Sequence, residues 1–564
     1  MGLRKSVLFN LRRFFSFIKI LFSNRKAAFG LIIILFFLFM ALFPFLFTEN
    51  TPLGKDPETG GPVGVKFCVP AWFRHLPTWL GGNPHLTENF RAFTDPGFPT
   101  IGENGEYRFE TDANDLVKPY PDPNFGYPLT VPIKGLNEKN GSLAIKFVRP
   151  AGQSRGEVKA YVYRQFYYPY SGYPADFEGN VELFVNGSVH GKYLDVPVRL
   201  RFFVGVVEGE RYYLWPPVYN NDTKYLGAVD ALYGFNFTKG DVFVDRPKSG
   251  REMSRYWIIS RASPMGASYI KDNQLVRISM GLRGVDSVIT KIFSKNPGNY
   301  EYGVEITFLD SDFEDKNVWT TVYVDDLCLD LYGNSYGIMG TDHQGYDLFA
   351  QLVYGARISL YLGFAVSVMT VLIGLVVGLV AGFLGGIPDQ ILMRINDLML
   401  CLPTLPLLIV LAAVIGHTIE NLMIIMIFLG WNGFARVVRS MTLSLKERPF
   451  VEAARAVGAG TGHIIWRHIV PNVMSVVYVN LATSVPGAVT SEAALSWLGF
   501  YDPTRMSWGR ILNNLSFQGG AAQAVVNPLW PILPGLCIAL LASSFILLGY
   551  ALDEILNPKL RIRR

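Results

Sequence analysis

The 564-residue chain is half hydrophobic and only 17% charged, with a mean hydropathy of +0.24, but its apolar residues are gathered into runs rather than spread evenly. That distribution excludes a wholly water-soluble protein, and a net charge of +5 concentrated in short flanks gives no reading as a nucleic-acid binder. At roughly 100–200 residues per domain, the length fits one membrane domain and one or two water-soluble units.

Residues 1–26 form a basic tail, with Arg4, Lys5, Arg12, Arg13, Lys19, Arg25 and Lys26 and no acid. The apolar run at 27–47 is long enough to span a bilayer, since about 20 residues cross ~30 Å of hydrocarbon. It is too long for a removed signal peptide and lacks a small-residue cleavage site, so it reads as a retained anchor.

Residues 48–345 are polar by comparison and read as a mainly β insert. Alternation and β-forming residues recur at Glu157 to Tyr163, Val181 to Val185, Val196 to Val204 and Tyr302 to Phe308, with turn signals at Asn186-Gly187 and Glu208-Gly209. Short strands so spaced predict a sandwich or barrel-like domain. Residues 50–145, rich in Pro, Gly, Asn and Asp, read as an irregular lead-in. Cys68 and Cys328 fall near the two ends of the insert, where a disulfide and a pair of buried free thiols are both open readings. Cys401 and Cys537 fall in apolar runs and read as small packing residues.

No catalytic or metal constellation emerges from the insert. His75, His85 and His190 are scattered without ligand-like spacing. The stretch from Thr341 to Asp347 reads as a polar turn capping the next helix rather than a metal site. The aromatic group Tyr167, Tyr168, Tyr170, Tyr173, Tyr212, Tyr213 and Trp215 fits ordinary β-core and cross-strand pairing, with a carbohydrate or peptide face as the alternative.

Residues 346–556 return to apolar runs. With the first, the spans are expected at 27–47, 357–382, 391–416, 421–439, 472–498 and 529–551, six in all. Arg394 and Asp397, three apart on one helix face, are expected to pair with each other. Pro403, Pro406, Pro486, Pro531 and Pro534 are expected to kink or interrupt helices. Glu492 lies about 20 residues into the fifth run, near one membrane interface at ~1.5 Å per residue. Asp397 and Glu492 are candidates for a membrane pathway because intramembrane ionisable groups are functional candidates by default. For Glu492 a merely solvated interfacial carboxylate stays open as well.

Between the fourth and fifth spans, residues 440–471 hold a short helix-forming stretch from Val451 to Ala456, a glycine stop at Gly458 and Gly460, and a re-entry proline at Pro471. This segment is too short to cross a bilayer and reads as a platform on one side of it. The basic residues in and just before it (Arg436, Arg439, Lys446, Arg448, Arg455 and Arg467), the basic tail before the first span and the closing tail 557–564 with Lys559, Arg561, Arg563 and Arg564 all favour the cytoplasm. Both termini then lie inside and the insert outside. The run Gly458 to Gly462 lacks the lysine of a P-loop and the preceding strand of a dinucleotide fold, so any ATP used is hydrolysed by another subunit.

A set of motifs then appears in order: Gly340-Thr341-Asp342, Tyr354 to Leu360, Gly382 to Gly386, Met393 to Asp397, Leu402-Pro403 and Trp431 to Arg439. They continue with Glu452-Ala453-Ala454 and Gly458, Arg467 to Asn472, Glu492 to Gly499, Ser507-Trp508-Gly509 and Leu556-Asn557-Pro558, while Asn24 to Gly30 matches at the first helix. Together they resemble the inner-membrane permease subunit of oligopeptide and dipeptide ABC importers, the binding-protein-dependent transport permeases with an N-terminal anchor helix. The resemblance covers about residues 338–562.

The resemblance implies an α-helical polytopic protein of six transmembrane helices, here with a large, mainly β extracytoplasmic domain between helices 1 and 2. It implies a permease core over 346–556 with a coupling loop at 440–471, in a bacterial or archaeal cytoplasmic membrane. In that loop Glu452 would meet polar or basic groups of an ATPase, and Ala453 and Ala454 would allow close approach. Gly458 would turn the chain between two short helices, and Pro471 would start the fifth span. The implied partners are a homologous second permease, two ABC ATPase subunits that bind the ATP and magnesium, an extracytoplasmic solute-binding protein and the bilayer. No cofactor or metal is expected in this chain. Peptides are the default substrate that the resemblance implies; some relatives carry oligosaccharides or metal chelates, and no residue here excludes those.

Two departures stand out. Members of this family usually have a modest loop where this chain has residues 48–345, and Gly345-Tyr346-Asp347 replaces the commoner Gly-Arg-Asp. The alternative reading is a membrane-anchored binding or adhesion protein whose insert carries the function. An anchor has no use for a coupling loop, which disfavours it.

Overall fold

A computed structural model describes residues 22–52, 62–80, 82–93, 107–120, 143–214, 242–244, 254–259, 277, 280–282, 287–310 and 316–556. The basic tails expected at 1–26 and 557–564 fall almost wholly outside the described residues. The chain forms two compact units, Met1–Phe67 with Gly337–Arg564, and Cys68–Tyr336. The insert is therefore tighter than the 48–345 read from sequence, because the residues on either side of it pack with the helices.

Helix α1 (Arg25–Leu42) begins at Asn24, whose side chain accepts the Lys26 amide at 3.0 Å, and gives way to a single 3-10 turn at Pro44–Leu46. The second unit follows. Its strands are β1 (Phe90–Arg91), β2 (Arg108–Thr111), β3 (Val117–Tyr120), β4 (Leu143–Arg149), β5 (Gly156–Tyr168), β6 (Asp176–Gly187), β7 (Val189–His190) and β8 (Tyr193–Leu194). They continue with β9 (Val198–Val206), β10 (Arg211–Leu214), β11 (Val242–Val244), β12 (Ser254–Ile259), β13 (Gly298–Asp310) and β14 (Val318–Tyr332), with a short helix α2 (Val288–Ile292) before β13.

Among the described residues two six-stranded antiparallel sheets form, ordered β12-β6-β14-β4-β3 and β10-β9-β13-β5-β2, with β1 added to β14 and β11 to β9, and β7 pairs with β8 in a separate two-stranded ribbon. Alternation decides which face is buried. Val158, Ala160 and Val162 of β5, Val198, Leu200 and Phe202 of β9, and Val304, Ile306 and Phe308 of β13 point to the same core as Ile145, Phe147, Val322 and Val324 of the other sheet. Phe147 stacks on Phe308 across the gap with centroids 5.2 Å apart. This is a β-sandwich, and the four strand segments read from alternation fall in β5, β6, β9 and β13, with β9 starting two residues later than read, at Val198. The lead-in reading is corrected in part. β2 and β3, both within residues 50–145, are edge strands of the two sheets, and at 4 residues each they are too short to show a period.

The disulfide reading does not hold in this structure, where Cys68 and Cys328 both remain thiols. Cys68 is buried and its thiol lies 3.4 Å from the Gly333 carbonyl oxygen. Cys328 sits five residues upstream on β14, and at ~3.3 Å per residue that is about 16 Å away, far beyond the ~7 Å Cα limit of a disulfide.

The helical unit resumes with α3 (Leu348–Leu384), α4 (Gly386–Cys401), α5 (Thr404–Ile415), α6 (Ile419–Gly430), α7 (Asn432–Lys446), α8 (Pro449–Ala456) and α9 (Thr461–Ile464). It ends with α10 (Val470–Trp497), α11 (Trp508–Asn514), α12 (Gly520–Val526) and α13 (Leu529–Leu556). Among the described residues five helical runs are long and apolar enough to cross a membrane: Arg25–Leu42, Leu348–Leu384, Ile419–Lys446, Thr461–Trp497 and Leu529–Ile555. The count reaches six when α4 and α5, bent by 91° to one another, are taken as one span.

The differences from the expected spans have local causes. The second run starts at Leu348 rather than 357 because Asp347 caps it and Leu348, Leu352, Val353 and Ala356 are buried on one face. The third breaks at Leu402, which is extended at ψ 135°, as a residue before proline prefers. The fifth starts at Thr461 because a π turn, Ile465–Ile469, joins α9 to α10. Pro471 is thus in the first turn of α10 but in the middle of a continuous helical run. Pro486 and Pro534 lie inside α10 and α13.

One packing device was not read from sequence. Gly374, Gly378 and Gly382 repeat every four residues along α3 and face the α7 backbone. A Cβ at these positions would come within 3.0 Å of Trp431 O, 2.6 Å of Ala435 O and 2.9 Å of Arg439 O. Helices in lipid gain their packing from such close backbone approach.

Candidate functional site

The segment between α7 and α10 is a fastened platform. Pro449 starts α8 at a position where its missing N–H costs nothing. Val451 is wholly buried and joins Phe383 of α3, Val438 of α7, Ile464, Ile469 and Val473 in one cluster. The Arg455 guanidinium lies 5.4 Å over the Phe383 ring, which adds a cation–π contact to the same anchor. The chain then turns at Gly458, at φ 85°, where a side chain would be strained although nothing lies within 4 Å of the place its Cβ would take. Gly458 N–H donates to Arg455 O at 2.9 Å and Ala459 N–H to Ala454 O at 3.0 Å. α9 and the π turn lead back into α10.

The opposite face of the platform is bare. Glu452 and Ala453 are exposed and Ala454 is half-buried, so the three fall on one turn with the acid outward. Sequence reasoning missed the apolar residues beside them. Val457 is 89% exposed, Trp466 76% and Phe450 40%. The available signal was their phase, since none shares the spacing of Val451, Ile464 and Ile469, which hold the platform down.

The two pathway candidates have different surroundings. Asp397 on α4 pairs with Arg436 of α7, not with Arg394 as its spacing suggested. Asp389 pairs with Arg439 in the same way, and Asn396 donates to Asn432 O at 2.8 Å, so α4 runs antiparallel along α7. The i, i+3 rule sees only one helix, whereas the winning partner lies on the next. Glu492 is 3% exposed, which removes the solvated alternative. It accepts a hydrogen bond from Ser496 at 2.7 Å, and the Ser359 and Ser507 hydroxyls lie beside it. α11 covers it: Trp508 is fully buried and donates to Leu352 O at 2.9 Å, while Gly509 packs against Ala493 and Ser496.

The polar turn before α3 does cap a helix. Asp347 accepts the Phe349 amide at 2.9 Å and the Asn50 side chain at 2.8 Å, and Asp342 accepts Gln344 N–H, Tyr346 N–H and Gln351. In the β unit the aromatic group divides between buried and exposed members. Tyr168 is fully buried and Tyr213 donates to Glu305. Arg211 lies within 4.9 Å of the Tyr161, Tyr163 and Phe203 rings and pairs with Glu301. Burial, with Glu110 beside it, pushes the Tyr163 phenol up to about 12. Tyr167 and Tyr173 are exposed, and Trp215 lies outside the described residues.

Comparison with known proteins matches residues 374–562 to the family described as binding-protein-dependent transport system inner membrane component. The oligopeptide transport system permease protein OppC of Bacillus subtilis (strain 168) is 36% identical over 223 residues, which is 39% of this chain and 72% of that protein. The dipeptide transport system permease protein DppC of Alkalihalophilus pseudofirmus is 35% identical over 224 residues, 39% of this chain and 72% of that protein. A solved structure of the MetNI methionine ABC transporter in inward-facing conformations aligns over 36% of this chain and 96% of its own at 20% identity, with a TM-score of 0.29, too low to speak for the fold. The β unit, at 68–336, lies outside the residues that match the family. With both the ordered motifs and this identity on the helical unit, the chain belongs to the family of binding-protein-dependent transport system inner membrane components.

Proposed function

We propose that this chain is a permease subunit of an ATP-driven ABC importer and forms one half of a transmembrane passage for peptides. A homologous permease supplies the other half, and two ATPase subunits bind ATP and magnesium and dock on the platform around Glu452. Both termini and the platform are cytoplasmic, six spans cross the membrane, and the β unit is extracytoplasmic, where it receives the solute-binding protein. The chain itself carries no ATPase site.

The observation that carries this reading is the two-faced platform. Val451, Ile464 and Ile469 bind it to α3, α7 and α10, while Glu452, Ala453, Val457 and Trp466 face outward. A rigid, fastened element with an exposed apolar and acidic face can pass a displacement from a docked subunit to three membrane helices. Its equilibrium shifts only if the docked ATPase contacts it differently in two states.

Affinity purification in mild detergent tests the proposal, comparing the wild-type chain with Glu452→Lys plus Gly458→Pro. The expected result is co-purification of an ATPase and a second permease with the wild type, with the ATPase reduced at least about tenfold in the variant, a loss of about 1.4 kcal/mol or more. A variant that holds the ATPase equally well overturns the coupling assignment.

A further inference from the structure

A cavity of about 450 Å³ lies within the β unit, and the importer reading makes no use of it. Four stretches of chain meet there. They are the 3-10 turn Ala71–His75 with Arg74, the loop with Pro84 and Leu86, the chain leaving β5 at Pro169, Tyr170 and Ser171, and Pro297 just before β13.

The walls are set without a ligand. Asn296 donates to Gly172 O at 2.9 Å and accepts the Tyr300 hydroxyl at 2.7 Å, while Asn83 accepts the His85 amide at 2.9 Å. The fully buried Tyr168 ring meets the Tyr170 ring edge to face, with centroids 5.4 Å apart. The prolines add fixed backbone. A preorganised wall loses little affinity to ordering.

The charged groups come as a pair. Arg74 and Glu88 lie 3.2 Å apart with side chains 28% and 40% exposed, so each keeps hydrogen-bonding capacity. The Arg74 guanidinium also lies 5.4 Å from the Tyr170 ring centroid. Burial, with Glu88 beside it, pushes the Tyr170 phenol up, so it stands here as a neutral hydroxyl. Ser171 Oγ lies 3.3 Å from His85 Nδ1, and both residues are exposed. Leu86, the Tyr170 ring and the pyrrolidines make the rest of the lining apolar.

We propose that this cavity binds a neutral sugar, either free in solution or part of a surface glycan. The ion pair decides the charge of the ligand, since an anion drawn to Arg74 would meet Glu88, and a cation the reverse. Neighbouring hydroxyls of a sugar take the guanidinium as donor and the carboxylate as acceptor at once, through charge-assisted bonds, which are the strong ones. The stiff apolar lining suits the C–H face of a sugar ring. A proline-rich peptide fits less well. It docks in aromatic-lined grooves, whereas Tyr170 is the one aromatic side chain lining this cavity among the described residues. The volume falls within the ~300–1,000 Å³ usual for ligand sites.

The test is saturation-transfer NMR on the full chain in phospholipid nanodiscs, which carry no sugar headgroup, with maltotriose, mannotriose and chitotriose as probes. The expected result is binding of at least one of them with a Kd of order 1 mM, as small polar ligands give. Arg74→Met and Tyr170→Ala are each expected to weaken it at least about tenfold, the scale of a hydrogen bond to a charged group. Ser171→Trp fills the cavity from an exposed position and is expected to abolish the signal. Tyr193→Ala, on exposed β8 and outside the cavity, is the control and is expected to stay within about twofold of wild type. The same sugars fixed to beads through their reducing ends separate the two sources. Retention of the chain on the beads supports a surface glycan, and binding of the free sugars alone supports a soluble one.

No binding of any of the three at about ten times that concentration overturns the proposal. So does a signal from hexaproline that the sugars do not give. Binding unchanged by Ser171→Trp overturns the cavity as its place, and that variant decides if Arg74→Met or Tyr170→Ala fails to fold. Binding is read on this chain alone, without ATPase or uptake, so failure here leaves the importer reading standing.

Discussion

The buried pair Arg149–Asp310 shows what a single residue is responsible for in the β unit. The two side chains are 2% and 0% exposed and 2.9 Å apart, one at the end of β4 and the other at the end of β13, so they join the two sheets. Asp310 also accepts the Arg155 amide at 3.2 Å, while one Arg149 nitrogen has no partner among the described residues. Removing one member of such a pair strands the other charge in a dry core, at about 3–5 kcal/mol, whereas replacing both with apolar side chains is often close to neutral. Arg149→Met alone is therefore expected to destabilise the β unit by roughly 3–5 kcal/mol. The double change Arg149→Met with Asp310→Leu should recover more than half of that loss. Urea titration of the full chain in detergent, followed by tryptophan fluorescence, checks both. A single variant as stable as the double would mean that the charge was never truly buried.

At the scale of elements, the glycine repeat of α3 ties membrane packing to the platform. A Cβ on Gly378 would sit 2.6 Å from both Ala435 O and the Val438 side chain, so α3 and α7 must part to admit one. Gly378→Leu is expected to destabilise the helical unit by about 1–3 kcal/mol, the usual cost of overpacking. Because α7 leads into the platform, ATPase retention should weaken with it. A thermal melt in detergent and the co-purification yield measure the two effects, and a normal melt would show that α7 yields freely. The repeat stands in plain view in the sequence, yet hydropathy alone does not say which face of an apolar helix meets another helix. The same limit explains the other misreadings. Hydropathy located the apolar runs, and the glycine stop located the platform, because those signals are local. The Asp397 to Arg436 pairing, the burial of Glu492 under α11 and the order of strands in the two sheets depend on partners far along the chain, which no period or spacing reveals. The exposure of Val457 and Trp466 was half legible, as apolar residues out of phase with the buried set.

At the scale of the whole molecule, the chain adds a folded β unit to a family core that does not include it. Unit 2 begins and ends on paired backbone: Val69 and Ser335 form a parallel bridge, Val69 N–H donates to Asn334 O at 3.1 Å, and Tyr336 N–H donates to Val69 O at 2.8 Å. Its two ends therefore lie side by side, as in insertions that can be excised without breaking the host. The sandwich has its own core across both sheets, and the residues matching the family lie at 374–562, beyond it. Deleting 68–336 and joining Phe67 to Gly337 through a short glycine-serine linker is thus expected to leave co-purification of the ATPase and second permease within about twofold of wild type, less than ~0.5 kcal/mol. Uptake supplied by the solute-binding protein is expected to fall at least about tenfold if the β unit receives that protein, since losing the encounter surface costs about 1.4 kcal/mol or more of effective affinity. The two readouts separate two questions. Loss of the ATPase would show that the helical unit needs the sandwich to assemble. Retained ATPase with undiminished uptake would show that delivery of solute does not pass through the β unit, and its partner would then be sought elsewhere.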